Sequence, residues 1–189
     1  MAAPASPPLI GIFNARGDVG HGGVPALGRD GVASGRAIVD GALFAGRHSA
    51  EGLPVSRAGP VWCLLEGTVY NIAELADDLG LATNAEPGAV IAHAYRRRGA
   101  AMLDDLRGAF ALVAWNGDEQ AGIVAVDQLG VRSLHFVDTG RTLSFSTEIH
   151  TLLQLLPRRP APAHIAVIHT LSGSPLPGDM TLFEGVRRL

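Results

Sequence analysis

Between Leu106 and Glu148 the chain is written as apolar stretches of strand length broken by turn residues. The stretches are "GAFALVAWN", "AGIVAVDQLG", "SLHFVDTG" and "TLSFSTE", with "NGDE", "LGVR" and "TGR" marking the breaks. This pattern predicts an antiparallel meander of three or four strands joined by tight turns. Any fold for the chain must accommodate that block, so the flanking segments are read around it.

Upstream, "GPVWCLLEG" (Gly59 to Gly67) is a continuous apolar run between glycines and predicts a strand buried on both faces. "NIAELADDLG" begins at Asn71, a favourable N-cap, and carries Ile72, Leu75 and Leu79 at helical spacing before Gly80 stops it. "EPGAVIAHAYRRRG" predicts a second helix opened by Glu86 and Pro87, with Val90, Ile91, Ala94 and Tyr95 as its apolar stripe. Arg96, Arg97 and Arg98 fall in its last turn, where cations favour the macrodipole, and an anionic contact is the alternative role for them.

Nearer the N-terminus, "LIGIF" predicts a short strand and "RAIVDGALFAGR" a strand pair or bulged strand, with glycine-rich loops over 14–35 between them. Downstream, "EIHTLLQLL" and "APAHIAVIHTL" predict short helices, and "SGSPLPGDM" an irregular loop. The order of elements implies an α+β fold in which helices cover stacked sheets. Residues 1–8 are expected to form a flexible N-terminal arm and 9–189 one domain.

With 47% hydrophobic and 17% charged residues over 189 positions, the chain can bury a core without staples. No apolar run approaches the roughly 20 residues needed to span a bilayer, and the N-terminus lacks the pattern of a secretory signal. A cytoplasmic location with no membrane partner is the expectation. A net charge of −3 gives no general drive toward nucleic acid. All fifteen basic residues are Arg, which removes Schiff-base and phosphate-loop lysines from consideration. The single cysteine, Cys63, excludes an internal disulfide framework, and its place in "VWCLL" suits a buried small hydrophobe. The seven histidines form no H-E-x-x-H or H-x-H pair, so no metal site is expected. Gly67 and Gly108 are expected to serve close backbone approach, and Glu148 to sit at a helix start.

Taken together, "EGTVYNIAEL" (Glu66 to Leu75), the helix ending "YRRRG", "LRGAFALVAW" (Leu106 to Trp115), "VDQLGVRSLHF" (Val126 to Phe136) and "LSFSTEIHTLL" (Leu143 to Leu153) resemble one known domain. In this order and spacing they are similar to the N-terminal glutaminase domain of asparagine synthetases, a class II (type 2) glutamine amidotransferase. The closing "TLFEGVRRL" resembles the segment that ends that domain. The resemblance runs from about residue 60 to Leu189 and is looser before it. It implies a four-layer αββα sandwich of the N-terminal-nucleophile (Ntn) hydrolase type, two antiparallel sheets face to face with helices outside.

The chemistry of that family rests on a Cys at the first position of the mature chain, whose free α-amino group serves as base. It also uses an Asn-Gly-Glu motif for the oxyanion hole and ammonium contact, a further Asp, and an Arg for the substrate carboxylate. On this sequence the resemblance places Ile10 at the nucleophile, Glu66-Gly67-Thr68 at the Asn-Gly-Glu motif and Pro87 at the Asp. Ile10 has no nucleophilic atom and is preceded by nine residues. Glu66 repels an oxyanion, and Thr68 lacks the charge an ammonium needs. Arg47 is a candidate carboxylate partner. No catalytic residue is therefore expected. The resemblance implies a catalytically inactive glutaminase-like domain, as in β-lactam synthetases and lasso-peptide macrolactam cyclases, which form amides with ATP and no glutamine.

Its expected partner is an asparagine-synthetase-like ATP-binding domain or subunit, with homo-oligomers also allowed, and no nucleic acid. This chain itself is expected to hold no cofactor, ATP and Mg belonging to that partner. The apolar residues Leu152, Leu153, Leu155 and Leu156 are candidates for the shared surface, with core as the other assignment. A free-standing non-enzymatic binding or scaffold module is the alternative function. An active amidotransferase with an unorthodox nucleophile is a third.

Overall fold

The computed structural model describes residues 9–14, 38–40, 43–47 and 55–189. The expected N-terminal arm and most of the glycine-rich stretch lie outside the described residues.

Strands β1 (Leu9–Asn14), β2 (Ile38–Asp40) and β3 (Leu43–Arg47) form one antiparallel group, with Leu9 opposite Arg47 and Ile10 opposite Gly46. β4 (Ser56–Ala58) and β5 (Val61–Val69) follow, then helices α1 (Ile72–Asp78) and α2 (Pro87–Arg98) and a 3-10 turn over Gly99–Asp105. The remaining strands are β6 (Gly108–Asn116), β7 (Ala121–Val126), β8 (His135–Asp138), β9 (Thr142–Ser146) and β10 (Arg187–Arg188), with helices α3 (Ile149–Leu155) and α4 (His164–Leu171) between β9 and β10.

The meander is not one sheet. β6 and β7 join a four-stranded sheet of order β4-β5-β6-β7, whereas β8 and β9 join a six-stranded sheet of order β10-β8-β9-β1-β3-β2. The chain changes sheets between Val126 and His135, through the "DQLGVRSL" turn. Strand periodicity specifies that consecutive strands exist but not which neighbour each one takes.

Strand alternation distributes the apolar side chains into three layers of contact. On the outer face of the four-stranded sheet, Val61, Cys63, Phe110, Leu112 and Ala114 pack with Val90, Ile91 and Ala94 of α2. Between the sheets lie Leu9, Leu64, Val113, Leu134 and Phe145. On the far face of the six-stranded sheet, Ile10 and Ile12 pack with Leu152 and Leu155 of α3 and with Val186. The result is the expected α+β, four-layer αββα sandwich: α1 and α2, sheet, sheet, α3. Leu152 and Leu155 are thus core, whereas Ile165, Ile168 and Leu171 of α4 are exposed.

One local expectation is amended. Asn71 stands at the N-cap of α1 but makes no side-chain capping bond. Its Nδ2 donates to the Asp105 carbonyl at 2.8 Å and its Oδ1 accepts from the Arg107 N–H at 3.0 Å, so it staples α1 to the start of β6. At α2 the expected opening by Glu86 and Pro87 holds, and the Glu86 carboxylate caps the helix by accepting from the Gly88 and Ala89 N–H groups that follow Pro87. At the other end of α2, Arg98 pairs with Asp78 and Asp105, and Arg97 donates to the Asp78 carbonyl. The arginine run therefore ties α2 to α1 and to the 3-10 turn.

Candidate functional site

Along β5 the side chains of Cys63 and Val69 turn to the helices, and those of Trp62 and Leu64 turn to the other sheet. Glu66 follows the second set and is 5% exposed. A carboxylate so buried needs donors, and three elements distant in sequence supply them. The Thr147 hydroxyl donates to Glu66 Oε2 at 2.7 Å. The Leu9 N–H, at the head of β1, lies 3.3 Å from the same oxygen and 2.9 Å from Thr147 Oγ1. Arg132 Nη1 approaches Glu66 Oε1 at 3.4 Å. Leu9 and Thr147 are also joined in the reverse sense, by the Thr147 N–H to the Leu9 carbonyl at 3.0 Å.

Arg132 reaches Glu66 because of the turn that carries it. Asp127 is buried, and its carboxylate accepts from the backbone N–H groups of Phe110 (3.2 Å), Leu129 (3.2 Å), Val131 (3.0 Å) and Arg132 (3.0 Å). Burial acts against the charged form, but the four N–H donors together outweigh it and hold the Asp127 carboxyl below the usual carboxylate range. The turn folds around this acceptor and delivers Arg132 to the space between the sheets.

Of the residues singled out from sequence, β1 and Glu66 are brought together, but through the Leu9 backbone. The Ile10 side chain is 1% exposed and packs on the α3 face of its sheet. Gly67 adopts φ +101, and a Cβ there would fall 2.1 Å from the Ala109 carbonyl oxygen. A Cβ at Gly108 would fall 2.2 Å from the Thr68 carbonyl oxygen. Both glycines therefore serve the close approach of β5 and β6, as expected. Thr68 is exposed near the end of β5. Pro87 opens α2, which packs on β4 and β5 on the side away from β1. Arg47 is paired through its backbone with Leu9 in β3. Glu148 is at the N-cap of α3, its Oε2 accepting from Thr151 Oγ1 at 3.3 Å.

Cys63 is buried, and desolvation pushes its thiol well above the ordinary range, with the Glu86 charge adding to the effect. An open groove of about 530 Å³ lies elsewhere, lined by Val137, Leu156, Pro157, Arg158 and Glu184 among others. Among the described residues, no group of three or more His, Cys, Asp or Glu side chains is gathered to hold a metal ion. No helix among them is long and apolar enough to cross a membrane.

Sequence reasoning assigned no role to Asp127, Arg132 or Thr147, although each lies in a segment that carries the family resemblance. The Asp127 turn has a local signature, an Asp followed by donors two, four and five residues on. Thr147 and Arg132 have none, because their common partner is 81 and 66 residues away.

Chemically, the arrangement presents an acceptor from β5 and donors from the opposite sheet and from the turn that joins the sheets. A carboxylate held in this way cannot donate to a developing oxyanion. It can couple the two sheets.

The described geometry agrees with the comparisons to known proteins. A family model described as a glutamine amidotransferase domain matches residues 44–189. The amidase chry2 of Gibberella zeae is 32% identical over 99 residues, which are 50% of this chain and 15% of that protein. The glutamine-hydrolysing asparagine synthetase 2 of Bacillus subtilis is 26% identical over 96 residues, 50% of this chain and 13% of that protein. The chain thus spans about a seventh of the length of the curated relatives it matches. Among solved structures, glutamine phosphoribosylpyrophosphate amidotransferase of B. subtilis, complexed with ADP and GMP, superposes with a TM-score of 0.54 at 17% identity, over 76% of this chain and 42% of that one. The allosteric regulatory enzyme of purine biosynthesis superposes with a TM-score of 0.53 at 18% identity, over 78% of this chain and 43% of that one. These neighbours share the Ntn-hydrolase sandwich of class II glutamine amidotransferases, and with the family model matching most of its length, the chain belongs to the glutamine amidotransferase domain family.

Proposed function

We propose that this chain is a glutaminase-like domain that has given up glutamine hydrolysis and serves as a structural or substrate-facing part of an ATP-dependent, asparagine-synthetase-like, amide-forming enzyme. The observation that carries the proposal is Glu66. It stands where the family resemblance calls for the oxyanion-hole Asn, and its carboxylate is engaged as an acceptor by Leu9, Thr147 and Arg132. Further support comes from Ile10, an aliphatic residue packed among Leu152, Leu155 and Val186 at the nucleophile position. In this proposal ATP and Mg bind the synthetase-like partner, where an amine of the substrate itself, in place of released ammonia, attacks the ATP-activated carboxylate. The relatedness to asparagine synthetase supports that choice of partner.

The test is ammonia release from glutamine by the purified chain, alone and with a synthetase-like partner protein. The expected result is no release above the uncatalysed rate in either case, and amide formation by the complex that needs ATP but not glutamine. Glutamine-dependent release abolished by Cys63→Ala would overturn the proposal.

A further inference from the structure

The donors around Glu66 come from three separate places: the head of β1, the β9–α3 junction and the Asp127 turn. The backbone that carries each is held by bonds that do not involve Glu66. Leu9 and Thr147 hold each other through two hydrogen bonds of 2.9 and 3.0 Å. Arg132 is held by its backbone N–H to Asp127. The donors therefore form a preorganised set with positive character, facing a buried position, and Arg132 is 42% exposed along its side chain. A set of this kind is matched by a carboxylate, which can accept from a hydroxyl, an amide and a guanidinium at once. An amide is a poorer match, because its NH₂ would face one of the donors.

We propose that the Leu9 amide, the Thr147 hydroxyl and the Arg132 guanidinium constitute a carboxylate-binding cradle with the side chain of Glu66 as its resident ligand. By holding that ligand, the cradle clamps β1 and β9 of one sheet onto β5 of the other. Small carboxylates are the class of ligand it accepts once Glu66 is removed. This inference stands on the geometry of the donors and does not depend on the absence of glutaminase activity or on any partner.

The experiment is chemical rescue of Glu66→Ala in the full chain. Truncation is expected to lower Tm by roughly 5–10 °C, since it leaves the half-buried Thr147 hydroxyl and the Arg132 guanidinium without their acceptor. It should also raise the exchange rate of the Leu9 amide about tenfold or more relative to the amides of β6. Formate is expected to restore part of both losses in a saturable way, and chloride at equal ionic strength is expected not to. Glu66→Gln, nearly isosteric, should lower Tm without being rescued. Equal effects of formate and chloride, or a Glu66→Gln protein as stable as the parent, would overturn the proposal. Should Glu66→Ala fail to fold, Thr147→Val is combined with Glu66→Gln. Losses smaller together than their sum support the cradle, and strictly additive losses refute it.

Discussion

Among the described residues two carboxylates are buried, Glu66 and Asp127, and they are satisfied by opposite means. Asp127 is wrapped by its own neighbourhood, three of its four donors being backbone N–H groups two, four and five residues further on. Glu66 draws on side chains and one backbone amide that lie 57 to 81 residues away. The first arrangement builds a turn, and the second joins sheets that could otherwise separate. They are also in series, since Arg132 reaches Glu66 only because the Asp127 turn points it there. A local device thus supports a non-local one, and damage to Asp127 should propagate to Glu66 but not the reverse.

The largest expected effect follows from that asymmetry. Asp127→Ala leaves four backbone N–H groups without their acceptor and should cost roughly 3–5 kcal/mol in denaturant unfolding. It should also increase exchange at Leu9, and an unchanged Leu9 amide would break the series relation. Gly67→Ala comes next, at about 3 kcal/mol, because φ +101 and the Ala109 carbonyl admit no side chain. That substitution loads the strand next to Glu66 without touching its donors, so it separates strand strain from loss of the clamp.

The pH dependence sharpens the comparison further. The folded-state pKa of Asp127 lies below its ordinary value, so its contribution is present above about pH 4 and is lost as pH falls through the folded value. His135 also titrates low, chiefly through burial, with the Arg188 charge opposing protonation and a Ser146 contact favouring it. Its unfolded form binds a proton first, so stability should decline as pH drops below about 6.5. A pH–stability curve should show a shallow fall from near neutrality and a steeper one in acid, with Asp127→Asn removing the second and His135→Phe the first. A smaller effect is expected at Asn71, where substitution by Ala removes the staple to Asp105 and Arg107. About 1 kcal/mol is the expected loss, with no change at Leu9.

Most elements were legible from the chain. The strand at Val61–Val69, the two helices after it and the strands to Ser146 appear close to where periodicity and turn residues put them. What failed was the assumption that adjacent strands pair. The "NGDE" and "TGR" turns do close hairpins, β6 with β7 and β8 with β9. The intervening "DQLGVRSL" is a crossing between sheets, and nothing in its alternation distinguishes the two cases. Asn71 shows the same limit on a smaller scale. A residue type that suits an N-cap was used for a bond to residues 34 and 36 positions away.

The site divides along the same line. Residue type alone decided that Ile10 carries no nucleophilic atom and that Glu66 brings a carboxylate to the end of an apolar strand. It also required Gly67 and Gly108 to be read as places of close approach. Only the tertiary structure decided that the Ile10 side chain faces α3, that Leu9 presents its amide to Glu66, and that Thr147 and Arg132 complete the set. The physical reason is that composition and period fix what a residue can donate, accept or bury, whereas hydrogen-bond partners across two sheets are chosen by the packing that brings distant segments together.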